Sequence, residues 1–120
     1  MAFKPYKIDR VDAVHDGDTI TVHLDLGLDE CHTARVRLLN VFAAEANAPG
    51  GAAARAEVVA WFTAHRSPFT LYTYLSKLGN ERNTLGRWVG DVHDADDASL
   101  CTSMGLWLLE HPESGGGIGA

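Results

Sequence analysis

The chain is short of cysteine, of long apolar runs and of positive charge, and each shortage excludes a class of protein. Its two cysteines, Cys31 and Cys101, stand far apart with no C-x-x-C between them. That spacing supports neither a zinc knuckle nor a thioredoxin-type redox pair and suits two free thiols in a reducing cytosol. No window approaches the 18 apolar residues of a membrane span, and the opening M-A-F-K-P-Y-K lacks the apolar core of a secretory signal. The expectation is a soluble, cytoplasmic protein with no membrane partner. Lysine and arginine number 10 against 16 aspartates and glutamates, a formal net charge of −6. Such a surface disfavours a sequence-blind grip on nucleic acid through a broad basic face, while leaving local contacts to phosphates open. The six histidines form no H-E-x-x-H and do not pair with the cysteines, and no serine sits in G-x-S-x-G. Zinc hydrolysis and covalent catalysis therefore have no footing.

What the chain does have is alternation. Its 120 residues fit one compact domain with a single core. Apolar positions recur with period two around Ile8, Val11 and Val14, and then more cleanly at Ile20, Val22, Leu24 and Leu26. Between these runs lies D16-G17-D18, a hairpin signal because Asp and Gly tolerate the dihedrals of a tight turn. The stretch 27–33 has no periodicity and reads as a long connection. A third strand is predicted over 34–41, followed by a loop closing in P-G-G. Ala54, Val58, Trp61, Phe62 and His65 then fall on one helical stripe within 52–66, and His65 suits the negative end of that helix. A fourth strand spans 69–75 and, beyond a polar loop, a fifth spans 87–93. Asp97 is placed to cap a second helix running to Leu109, with Leu100, Met104, Trp107 and Leu108 inward. Residues 1–111 are expected to form the domain, and 112–120, rich in glycine, a disordered tail. This order predicts a mainly β fold with packed helices (α+β), matching the five-stranded Greek-key barrel of the OB type.

The chemistry concentrates where the third strand ends. Arg37 lies in the apolar run V-R-L-L, and a buried arginine needs a partner, for which Glu45 is the nearest candidate in sequence. An arginine offers a planar fork to phosphate oxygens, and a glutamate can take a proton from water. Three short motifs stand in chain order: D16-G17-D18-T19, R37-L38-L39 running on to Glu45, and G86-R87. Each alone is an ordinary turn or strand start. Together, over roughly 6–104, they resemble the staphylococcal nuclease (thermonuclease) family, whose pattern is a D-G-D-T turn, an R-L strand followed by D-x-P-E, and a later G-R.

The resemblance implies a calcium-dependent endonuclease, a hydrolase of phosphodiester bonds in DNA or RNA, and the chain is expected to be a monomer. It implies Asp18 as a metal ligand with the backbone carbonyl of Ala43, Glu45 as general base, and Arg37 and Arg87 as the pair holding the phosphate. The family's second aspartate ligand falls on Phe42 and its proline on Ala44. Calcium takes 6 to 8 oxygen ligands, so an aromatic ring there weakens the site unless Asp16 or Glu45 shifts to help. Another divalent ion is a further option. The same ring offers a surface on which a base can stack. The alternative expectation is thus a catalytically silent OB barrel that binds nucleic acid or a protein partner.

Overall fold

The computed structural model describes residues 2–75, 82–84 and 87–115. It is mainly β, with a closed five-stranded barrel and two helices. The strands are β1 (Ala2–Asp16), β2 (Thr19–Gly27), β3 (Glu30–Leu38), β4 (Phe69–Leu75), β5 (Arg82–Thr84) and β6 (Arg87–His93). Helix α1 (Gly51–Ala64) joins β3 to β4, and α2 (Leu100–Glu110) follows β6. The sheet runs β3-β2-β1-β4-β6-β5, and a parallel pairing of β3 with β6 closes it. Strand β5 is a short antiparallel addition to β6, in a stretch whose polar composition reads as loop. None of the helices described is long and apolar enough to cross a membrane.

The alternating pattern is what fills the barrel. Ile20, Val22 and Leu24 of β2 meet Ala34, Val36 and Leu38 of β3, and Ile8, Leu71 and Val92 complete the interior from the other strands. Leu26 continues the period but the strand outruns the core there, leaving it 47% exposed. Helix α1 buries Ala54, Val58 and Trp61, the stripe its spacing predicts. His65 is its C-cap and stacks on Trp61 with centroids 4.2 Å apart. Helix α2 buries Leu100 and Met104, with Trp107 and Leu108 against the same core.

Three expectations are corrected. The connection between β2 and β3 is a tight turn at Leu28 and Asp29, both left-handed at φ 53° and 62°. It is hidden in the sequence because Leu28, unlike Asp29, is not a usual turn former in that geometry. Ser99 rather than Asp97 caps α2, its hydroxyl accepting from the Thr102 amide, while Asp97 turns away to His93. The domain does not stop at His111 either. Pro112–Ser114 form a 3-10 turn in which Ser114 is fully buried, and Gly115 bridges to Ala43. Residues 116–120 lie outside the described residues.

Candidate functional site

The D-G-D-T segment folds as the hairpin its composition suggests, with Asp16 opposite Thr19 and Gly17–Asp18 at the turn. Gly17 is required by packing: a Cβ there would lie 2.7 Å from the β-carbons of both Ala43 and Ala54. The turn is pinned to β3, because the Leu38 amide donates to the Asp18 carbonyl at 2.7 Å and Thr19 is the register partner of Arg37. Asp18 and Arg37 are thereby neighbours at one end of the barrel, although they lie 19 positions apart in sequence. The loop after β3 folds over the same end, since the Ala43 amide donates to Asp18 Oδ2 at 3.1 Å.

Asp18 is an uneasy acid. Its side chain is 13% exposed, and its oxygens accept from the Ala43 amide and, at 3.0 Å, the Thr19 hydroxyl. Burial, followed by the neighbouring Asp16 carboxylate, pushes its pKa up to about 6, against the opposing pull of the Ala43 amide and of Arg37. Arg37 Nη2 lies 3.8 Å from Asp18 Oδ2, an ion pair rather than a hydrogen bond. The guanidinium instead donates from Nη1 to the carbonyls of Leu38 at 3.0 Å and Val41 at 2.9 Å. Its carbon sits 5.1 Å from the centre of the Phe42 ring, a cation–π contact.

The sequence-predicted residues are therefore brought together unequally. Asp18, Arg37, Phe42 and Ala43 form one contiguous group, with Asp16 joined through its Oδ1, which accepts from the Asp18 amide at 3.2 Å. Glu45 is in the same loop but its side chain is exposed, and among the described residues Arg37 is paired with Asp18, not with Glu45. The expected Arg37–Glu45 partnership is thus replaced, because the hairpin register delivers an acid to Arg37 from the turn between β1 and β2. The loop's own carbonyl at Glu45 is covered: Gly51 packs so closely on it that a Cβ would collide. Arg87 opens β6 two residues before Val89, the partner of Arg37, and its side chain lies outside the described residues.

The fit of a calcium ion can be judged from these contacts. A calcium site needs several converging oxygens. Here the carboxylate of Asp18 already accepts two hydrogen bonds and faces a guanidinium, Ala43 presents its N–H to that carboxylate, and the Phe42 ring lies against the same guanidinium. No group of three or more His, Cys, Asp or Glu side chains converges as a metal site among the described residues. The residues as arranged do not fit calcium.

A second cluster escaped the sequence reading. His93 is held between two acids, Nε2 to Asp91 Oδ2 at 3.1 Å and Nδ1 to Asp97 Oδ1 at 2.5 Å, with the Tyr72 ring 4.7 Å from its own. Asp91 also accepts from the Ser99 hydroxyl at 2.6 Å and the Cys101 amide at 3.0 Å, anchoring the start of α2. The available signal was the alternation D91-V92-H93, which places the acid and the imidazole on one strand face. Behind it the Cys101 thiol donates to the Gly90 carbonyl at 3.5 Å, and burial pushes that thiol's pKa up, which makes it inert.

Compared with known proteins, the chain matches no protein-family model and no curated protein.

Proposed function

We propose that the chain is a thermonuclease-like domain, an OB-type Greek-key barrel, that binds the phosphodiester backbone of DNA or RNA at the Asp18–Arg37 end. The observation that supports this most is Arg37 itself. Its guanidinium is fixed by two backbone carbonyls and an aromatic ring yet keeps 22% of its side chain exposed, beside an acid whose charge burial disfavours. A preorganised, partly open fork next to an easily neutralised carboxylate is suited to an anion, because little ordering remains to be done on binding. Arg87, the second arginine of the motif, would add a second phosphate contact. With calcium not accommodated, binding rather than cleavage is the activity this arrangement favours.

A second reading, a metal-dependent endonuclease with an atypical site, is favoured by one feature. Glu45 is exposed in the loop that Asp18 holds, where an acid could take a proton from water.

The test is fluorescence anisotropy with labelled single-stranded DNA, duplex DNA and RNA at low salt, run beside cleavage assays with calcium or EDTA. The expected result is binding that weakens with salt, by a slope of about one to two phosphates, and that Arg37→Lys weakens through loss of the fork. Absence of salt-sensitive binding to all three would overturn the proposal. Cleavage abolished by EDTA and by Glu45→Ala would establish the second reading instead.

A further inference from the structure

The barrel's other end carries a feature that the phosphate site does not use. Between the strands lies a cavity of about 240 Å³, floored by Leu24 and Leu71 and walled by Leu26, Tyr6 and Trp88. His32 stands at its edge, its ring 6.4 Å from that of Trp88 and at 89° to it. Leu24 and Leu71 belong to the closed core, whereas Leu26 is about half exposed and His32 is exposed, so the cavity opens from core to solvent along the β2–β3 hairpin. Thr73 also lines it, but its hydroxyl is spent on the Val89 carbonyl at 2.8 Å.

We propose that this cavity binds a small, neutral, planar aromatic molecule of one or two fused rings. The size of the space sets the upper limit. An apolar cavity of about 150 Å³ in another protein stays dry and accepts benzene, so the larger space here takes an indole-sized molecule. The lining sets the chemistry. The floor of leucines and a committed threonine offers water no partner, the lining's other polar atoms belonging to Tyr6, His32 and Trp88, whereas an aromatic ring gains contact with every wall. The perpendicular rings of His32 and Trp88 make a corner in which a flat molecule lies against one face and meets the other edge-on. His32 at the edge gives a polar contact for one N–H or O–H of the ligand. A charged ligand is disfavoured because the floor holds no counter-charge.

The experiment titrates indole into the protein while recording amide and methyl NMR spectra. The expected result is saturable shifts at Leu24, Leu26 and Leu71 with none at Asp18 or Arg37, and a rise in melting temperature with indole concentration. Leu26→Trp, a change at a half-exposed position that fills the opening, should weaken binding at least about tenfold while the spectrum stays folded. His32→Ala should weaken it less and selectively for indole over toluene. No saturable shift, shifts centred elsewhere, or unchanged affinity in Leu26→Trp would overturn the proposal. Concentration-dependent self-association that Leu28→Ser abolishes would also overturn it, by showing that the exposed hairpin leucine of a second copy is the occupant.

Discussion

The guanidinium carbon of Arg37 lies 5.1 Å from the centre of the Phe42 ring, so an internal cation stands against an aromatic face beside the buried carboxylate of Asp18. A ring in that place excludes the water shell of a bare divalent ion, whereas a carboxylate there would join Asp18 in attracting one. Phe42→Asp is therefore expected to introduce saturable calcium binding in isothermal titration, with none expected of the parent protein. Equal heats from the two proteins would mean that position 42 does not govern metal access.

Asp18 is predicted to cost stability at neutral pH. Its folded pKa of about 6 lies above the ordinary aspartate value of 3.8, so folding favours the protonated acid. Wild-type stability should then fall as pH rises from about 4 to about 6 and stay lower beyond. The loss is expected to be on the order of 1–3 kcal/mol. Asp18→Asn, which can still accept from the Ala43 amide, should unfold at higher urea than wild type at pH 8 and at nearly the same urea at pH 4. A loss of stability at pH 8 would show that the charged acid's pairing with Arg37 outweighs its burial.

The same titration should govern anion binding. Above pH 6 the Asp18 carboxylate opposes the charge of Arg37, and below it the arginine is left uncompensated. Affinity for a short oligonucleotide is expected to rise as pH falls through about 6, while Asp18→Asn binds with little pH dependence over the same range. Parallel pH profiles for the two proteins would remove Asp18 from the binding end.

His93 gives the opposite sign. Burial alone would lower its pKa, but Asp97 and Asp91, one at each ring nitrogen, outweigh it and raise the value above 6.5. The stabilisation it contributes is fully present below 6.5 and is lost as pH climbs through the raised value. The ring faces Asp91 on its own strand, Tyr72 on β4 and Asp97 in the turn, and Asp91 in turn holds Ser99 and the Cys101 amide at the start of α2. Loss of the charge should therefore be felt as weaker amide protection in the first turn of α2. His93→Gln is expected to flatten that dependence, and a ring titrating below 6.5 by NMR would contradict it.

Removal of residues 112–120 is expected to destabilise the loop over the Asp18–Arg37 end. The Ala44 amide donates to the Ser114 carbonyl at 2.9 Å, and Ser114 is buried under that loop. The shortened chain should lose about 1–3 kcal/mol through an exposed amide and lost packing. Hydrogen exchange at Ala44 is the direct measurement, and protection equal to the full chain would show that the turn is dispensable.

Much of this was legible where one physical signal dominated. Ile20, Val22 and Leu24 alternate without interruption, and the Ala54–Val58–Trp61 stripe has one period, so β2 and α1 fall where spacing puts them. The 69–75 and 87–93 strands are equally plain. Turn chemistry was less readable. Leu28 adopts a left-handed conformation that glycine or asparagine would signal, and Asp97 is as good a cap by composition as Ser99. The site was legible as a set of motifs but not as a set of partners. Arg37 meets Asp18 because of cross-strand register, which no local pattern around Arg37 encodes. A single buried serine is likewise invisible inside P-E-S-G-G-G, whose composition argues for exposure.

The parallel pairing of β3 with β6 is the shortest of the described ladders that close the barrel, with three register pairs, Val36 with Trp88, Arg37 with Val89 and Leu38 with Gly90. Parallel pairs are also somewhat weaker per residue than antiparallel ones. Arg37 is the middle rung of that seam. Breathing that opens this seam carries Arg37 with it, so thermal loosening of the fold and loosening of the arginine's aim are one motion.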